Sequence, residues 1–224
     1  MKALHLDQQY QAELDALHDA VVAMGHHALA MVRDASRAVL DGDQALARSV
    51  IARDDALDRM EVDTDARSVA LLARRAPVGE DLRLVTCALK VVTDLERIGD
   101  LAVSLAERAE DLSRVDALPI PPQVRELVDH AVGELAQAVS ILHARDATRA
   151  RQLKADDRLV DAANRRAFDH LIQLAKDDPP HFEHALTMTN VCRHLERIGD
   201  HAVNIGEMVV YLADGAVVKH IDEP

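Results

Sequence analysis

Leu95-Glu96-Arg97-Ile98-Gly99-Asp100 recurs unchanged as Leu195-Glu196-Arg197-Ile198-Gly199-Asp200, one hundred residues further along the chain. An identical hexapeptide at that distance marks an internal duplication, and the residues around it repeat as well. Leu84, Ala88, Val91, Leu95, Ile98, Ala102, Leu105, Ala109 and Leu112 follow alternating steps of four and three, the heptad seam of a long packed helix. Met188, Val191, Leu195, Ile198, Ala202, Ile205, Val209 and Leu212 follow the same steps, and only His184, at the first position, breaks the second seam. Upstream, Asp43, Asp54 and Asp58 correspond to Asp146, Asp157 and Asp161 at an offset of 103, so three residues are lost between the two blocks. The connection carrying Pro77 in one half and Pro179 in the other is where a chain absorbs such a loss, because packed helices cannot.

Only eight glycines and seven prolines interrupt the 224 residues, a bias toward long helices over a meander of strands. Breaks fall at Asp41-Gly42-Asp43, Ala76-Pro77-Val78-Gly79, Pro119-Ile120-Pro121-Pro122, His143 to Asp146 and Asp177-Asp178-Pro179-Pro180. They predict an all-α fold of six long helices, arranged as two tandem, pseudo-symmetric, antiparallel three-helix bundles. The expected division is a first bundle over 1–115, a second over 116–213 and a C-terminal tail over 214–224.

Hydrophobic residues make up 49% of the chain but aromatic ones only 2%, with no Trp, so aliphatic side chains must build the core and stacking platforms for bases or sugars are disfavoured. With 39 acidic against 26 basic residues the net charge is -13, a field that repels nucleic-acid phosphates and anionic lipid and suits cations or basic protein partners. No apolar stretch approaches the roughly 20 residues needed to span a bilayer, and the N-terminus lacks a charged-then-apolar signal region. A soluble, cytoplasmic protein with no nucleic-acid partner and no membrane insertion is expected. Cys87 and Cys192 lie far apart on apolar segments, with no second cysteine nearby, and are read as buried, reduced packing residues.

Four carboxylate pairs stand at i and i+4: Asp54 with Asp58, Glu96 with Asp100, Asp157 with Asp161, and Glu196 with Asp200. On a helix each pair projects from one face, where like charges cost a few tenths of a kcal/mol. If the second and third helices of each bundle are neighbours, two pairs converge into a four-carboxylate patch whose pKa values rise unless a cation compensates. An all-oxygen set suits Mg, Mn, Ca or iron rather than structural zinc. Glu96 and Asp100 lie off the heptad seam, so such a site is expected at the surface. The competing reading is a pair of solvated acidic faces, with Arg97 and Arg197 forming ordinary exposed ion pairs. Gly99 and Gly199 likewise allow two readings, close helix approach or room for a metal cluster and its waters. His201, beside Asp200, has Leu101 as its counterpart, which argues against a ligand shared by both halves. No Gly-rich phosphate loop, nucleophile elbow or credible Cys–His pairing is present, and no Glu-x-x-His of the kind that holds metal inside di-iron bundles. A non-enzymatic regulator or adaptor is the expectation; a metal-binding bundle with storage or redox activity, or a purely structural scaffold, are the alternatives.

The chain resembles the PhoU family of phosphate-response regulators over about residues 5–213. The resemblance is carried by Pro77-Val78 with Asp81-Leu82-Arg83, by Asp94-Leu95-Glu96-Arg97-Ile98-Gly99-Asp100, and by the second run from Leu195 to Asp200. It implies two pseudo-symmetric three-helix bundles in a cytoplasmic bacterial protein of phosphate homeostasis and signal transduction. Such a protein restrains the phosphate-starvation response when phosphate is plentiful, linking the ATPase subunit of the phosphate ABC transporter to a sensor histidine kinase. The resemblance also implies multinuclear metal sites on the bundle surface, here at Asp54, Asp58, Glu96, Asp100, Asp157, Asp161, Glu196 and Asp200, with Fe, Mn or Mg as the metal. The long helices are compatible with a homodimer. Two departures from the pattern, His194 at the place of Asp94 and Asn164 at the place of Glu61, make the two sites unequal in charge.

Overall fold

The structure is a computed structural model that describes residues 2–113 and 118–215, with side chains described from residue 8 onward. Among the described residues all regular structure is helical: α1 (Lys2–Asp41), α2 (Gln44–Ile51), α3 (Asp54–Arg75), α4 (Gly79–Leu112), α5 (Pro122–Ala144), α6 (Ala147–Asp177), a 3-10 turn (Pro179–His181) and α7 (Phe182–Asp214). Among the described residues no helix is long and apolar enough to cross a membrane.

Each helix stops where local chemistry stops it. Asp43 caps α2 by accepting from the Leu46 N–H at 2.9 Å, and its repeat partner Asp146 caps α6 by accepting from Thr148 and Arg149 at 3.0 Å. Gly42 (φ 68°) turns the chain out of α1 at no steric cost. Pro122 opens α5 at a position where a missing N–H does no harm. The connection before α7 is Asp178 followed by the 3-10 turn Pro179–His181, against Ala76–Val78 before α4.

One helix departs from the expected six. The second helix of the first half is broken into α2 and α3 at Ala52–Arg53, whereas its counterpart α6 runs through 31 residues without interruption. There the Arg53 N–H reaches back three residues to Val50 O at 2.9 Å, and the Arg53 guanidinium is held by Asp34 of α1 at 2.8 Å. The step in the helix is thus tied to an ion pair with a neighbouring helix.

Helices α1 to α4 form one bundle and α5 to α7 the other, and they join where α4 packs on α7 and α1 on α5. The join is intimate: a Cβ on Gly25 of α1 would sit 3.4 Å from Val139 of α5 and 3.8 Å from Leu95 of α4. One continuous aliphatic core runs through both bundles. Every seam residue from Leu84 to Ala109 and from Met188 to Leu212 is buried, and each fully buried Leu or Ile there contributes about 1.5–3 kcal/mol. His184 is buried too, at 3% exposure, so the second seam continues through a histidine rather than ending at it. Packed against α1, α3 and α7, α4 also buries Val85, Val92 and Leu101 outside the seam.

The expected bundle boundary between residues 115 and 116 lies outside the described residues. The expected tail does so from residue 216 onward. Asp214 still belongs to α7, where it pairs with Arg151 of α6, and Gly215 (φ 70°) closes the helix through its N–H to Tyr211 O at 2.9 Å.

Candidate metal centre

Asp54 and Asp58 of α3 face Glu96 and Asp100 of α4, and Asp157 and Asp161 of α6 face Glu196 and Asp200 of α7. The electrostatics express this convergence. Burial lifts the Asp54 carboxyl above its ordinary range, followed by the charges of Asp58 on its own helix and Asp100 on the facing one. Glu96 is raised by burial and by Asp100, with Arg97 opposing and Glu61 and Asp58 of α3 adding to the rise. In the second bundle burial, Asp161, Asp200 and Glu196 push Asp157 up to about 6. Glu196 and Asp200 are raised in the same way, each by burial first and with Asp161 across the helix contact contributing. The eight carboxylates therefore fall into two patches, one per bundle, where α3 packs on α4 and α6 on α7.

The patches lie at the edge of solvent. Side chains of Glu96 and Asp100 are 21% and 47% exposed, and Arg97 bridges them at 3.4 and 3.2 Å. An exposed pair of that kind stabilises by little. Gly99 and Gly199 sit between the acidic residues, where side chains of neighbouring helices press against α4 and α7. A Cβ at Gly99 would overlap Leu57 Cδ2 of α3, and one at Gly199 would lie 3.3 Å from Val160 of α6. The same two points face carboxylates, Asp54 Oδ1 at 3.7 Å and Asp157 Oδ1 at 3.5 Å, so close approach and space beside an acid are one feature.

Three residues near the patches carry more than their sequence positions suggested. Glu61 joins the first patch, its carboxyl raised by burial, Asp65 and Asp58. Glu134 of α5 reaches the second patch from the core side. It is 4% exposed, neither carboxylate oxygen has a hydrogen-bond partner, and Oε2 lies 2.8 Å from where a Gly199 Cβ would be. Burial, then Asp157, Asp156, Asp200 and Asp161, push it up to about 9. The available signal was an acid at an apolar seam position of α5, between Ala131 and Ala138, where the offset of 103 puts Met31 in α1. His201 turns away from the patch, its Nδ1 2.8 Å from Asp94 Oδ1 across the α4–α7 contact.

Among the described residues no group of three or more His, Cys, Asp or Glu side chains is arranged to hold a metal ion. The patches are defined by shared burial and mutual repulsion rather than by closed coordination geometry. Their chemistry nonetheless suits a hard cation: every donor is a carboxylate oxygen, and the orphaned oxygens of Glu134 need a proton or a cation beside them. Both cysteines lie apart, buried and free, with burial pushing Cys87 up to about 11 and Cys192 up to about 12. Soft-metal or thiolate chemistry has no group to act through there.

Two joined helical bundles, each with a carboxylate patch between its last two helices, define a class of duplicated, all-helical proteins. Residues 21–109 and 124–209 each match the model of the PhoU domain. The chain belongs to the PhoU family. It is 37% identical over 97% of its length to the phosphate-specific transport system accessory protein PhoU homolog of Pseudomonas aeruginosa, covering 90% of that protein. The homolog of Rhizobium meliloti is 30% identical over 96% of this chain and 92% of its own. The crystal structure of PhoU from Pseudomonas aeruginosa superposes with a TM-score of 0.89 at 36% identity, over 92% of this chain and all (100%) of that one. The phosphate transport system regulatory protein PhoU from Streptococcus pneumoniae superposes at 0.85 and 25% identity, over 93% and 99%.

Proposed function

We propose that this protein is a negative regulator of the phosphate-starvation response and of phosphate uptake. It works by binding, as a non-enzymatic cytoplasmic adaptor between the ATPase subunit of the phosphate ABC transporter and a sensor histidine kinase. The observation that carries this reading is whole-chain likeness to phosphate-specific transport system accessory proteins, with the duplicated acidic patches kept in both halves. A net charge of -13 and two acidic helix faces favour basic partner surfaces.

Each unit, residues 1–115 and 116–213, presents one docking face. Asp54, Asp58, Glu96 and Asp100 would hold a metal in the first, and Asp157, Asp161, Glu196 and Asp200 in the second, with Fe, Mn or Mg as the ion. Bound there, the ion relieves the repulsion and offers a positive centre at the surface. The carboxylates supply the anchoring charge, and the rigid helix pairs hold them in register. A homodimer would place two such pairs of faces on one particle.

The test is alkaline phosphatase activity of a strain lacking this gene, grown in phosphate-rich medium, with and without a plasmid copy. High activity that the plasmid copy suppresses is the expected result. Activity that stays low without the gene, in a strain with no second copy, would overturn the reading.

A further inference from the structure

The two patches differ in what lies beneath them. In the first bundle Leu57 of α3 fills the space against Gly99, and the α1 position that corresponds to Glu134 is Met31, fully buried. In the second bundle the counterpart of Leu57 is the shorter Val160, and Glu134 Oε2 takes up the room beside Gly199. The two exchanges go together: a smaller side chain on α6 admits a carboxylate from α5. Glu134 Oε2 and Asp157 Oδ1 then face the same point, at 2.8 and 3.5 Å from the position of a Gly199 Cβ.

We propose that Glu134 is a fifth, interior carboxylate ligand of a divalent-cation site in the second bundle, and that this site binds its cation more tightly than the patch in the first bundle. The inference rests on the reading of the acidic patches as cation sites and adds to it a ligand and a ranking. Glu134 is 96% buried by its 4% exposure, both oxygens lack a partner, and the charges that act on it most are acidic ones. A carboxylate oxygen buried without a hydrogen-bond donor lacks the compensation that burial demands, and a cation beside it would supply that compensation. Glu134 would then offer a ligand from the dry side of the patch, opposite the solvent-facing acids. A hard divalent cation takes six or more oxygens, and a ligand approaching from beneath converts an open face into a partial cage. Met31 gives the first patch nothing equivalent.

Manganese(II) is the probe, titrated by calorimetry into the metal-stripped full chain, with the free ion counted by electron paramagnetic resonance. The wild type should show two unequal classes of sites. Glu134→Gln keeps the shape and removes the charge, and Glu134→Met copies the first bundle; each should weaken the tighter class about tenfold or more, a change of about 1.4 kcal/mol, and leave the weaker one in place. Asp54→Asn with Asp58→Asn should do the converse. Circular dichroism at 222 nm checks that each variant is helical, and the Gln variant stands alone if the Met variant does not fold. Two equal classes in the wild type, an unchanged tight class in Glu134→Gln, or an equal weakening of both would overturn the role of Glu134 while the cation reading stands. Absence of any manganese or ferrous-iron binding by the wild type would overturn both.

Discussion

His201 Nδ1 of α7 lies 2.8 Å from Asp94 Oδ1 of α4, and Asn204 Nδ2 reaches the same oxygen at 3.1 Å. This contact bolts one bundle to the other at a point where both side chains are about four-fifths buried, at 19% and 20% exposure. The duplication does not repeat it. The counterpart of Asp94 is His194, and that of His201 is Leu101. His194 instead has a lowered pKa, through burial first and then Arg108, Arg197 and Arg193. One side of the α4–α7 join is therefore centred on an acid and the other on a histidine whose charged form is disfavoured.

Asp94→Ala should destabilise the protein by about 1–3 kcal/mol, because it removes the acceptor of two partly buried hydrogen bonds. Urea unfolding followed by circular dichroism reads the shift in midpoint. In a double-mutant cycle with His201→Ala the coupling should be about 0.5 kcal/mol or more. Strict additivity would show that the contact does not hold the bundles together.

Gly99→Ala should lose stability even though it removes a mid-helix glycine. The gain in helix propensity is about 1 kcal/mol, but the new methyl overlaps Leu57 Cδ2, and overpacking of that kind costs about 1–3 kcal/mol. Adding Leu57→Val, which copies Val160 of the second bundle, should restore part of the loss. Thermal melts of the two variants would show the order of stability, and a more stable Gly99→Ala single variant would contradict the close approach.

His184 gives stability a pH dependence of known sign. Burial, with a further push from His181, lowers its pKa below the ordinary 6.5, and neither ring nitrogen has a partner. The unfolded chain therefore takes up a proton that the folded chain refuses. The histidine imposes no such penalty above pH 6.5, and stability falls as pH drops through that value toward the folded pKa, at up to about 1.4 kcal/mol per pH unit. His184→Leu, which copies Leu84 of the first bundle, should flatten the urea midpoint between pH 7 and 5 relative to wild type. Parallel pH profiles for the two proteins would refute the assignment.

Replacing Glu96, Asp100, Glu196 and Asp200 together with Ala should leave the helices formed while metal retention falls to background. Their pKa values rise through burial and mutual repulsion, so the metal-free variant should melt no lower than the metal-free wild type. Metal content after desalting and melting temperature in chelator are the two readouts. Full retention of metal would show that other residues are the ligands.

Much of this protein is legible along the chain because duplication, seams and caps are local or periodic. The repeated hexapeptide, the steps of four and three, and the paired cap residues Asp43 and Asp146 each need only a few neighbouring residues to exert their effect, and the helix ends fall where those residues stand. The i, i+4 acids share a face for the same reason, since helix geometry alone puts them there.

What tertiary structure decided concerns distances between helices, which no local pattern contains. The step at Ala52–Arg53 accompanies an ion pair with Asp34 on another helix. His201, next to Asp200 in sequence, is drawn to Asp94 because α4 and α7 are packed against each other. Glu134 of α5 and Asp157 of α6 come together beside Gly199 of α7, next to Val160, although the three residues are far apart in sequence. Helical periodicity determines which side of a helix a residue occupies; the depth of the neighbouring side chains decides what it meets there.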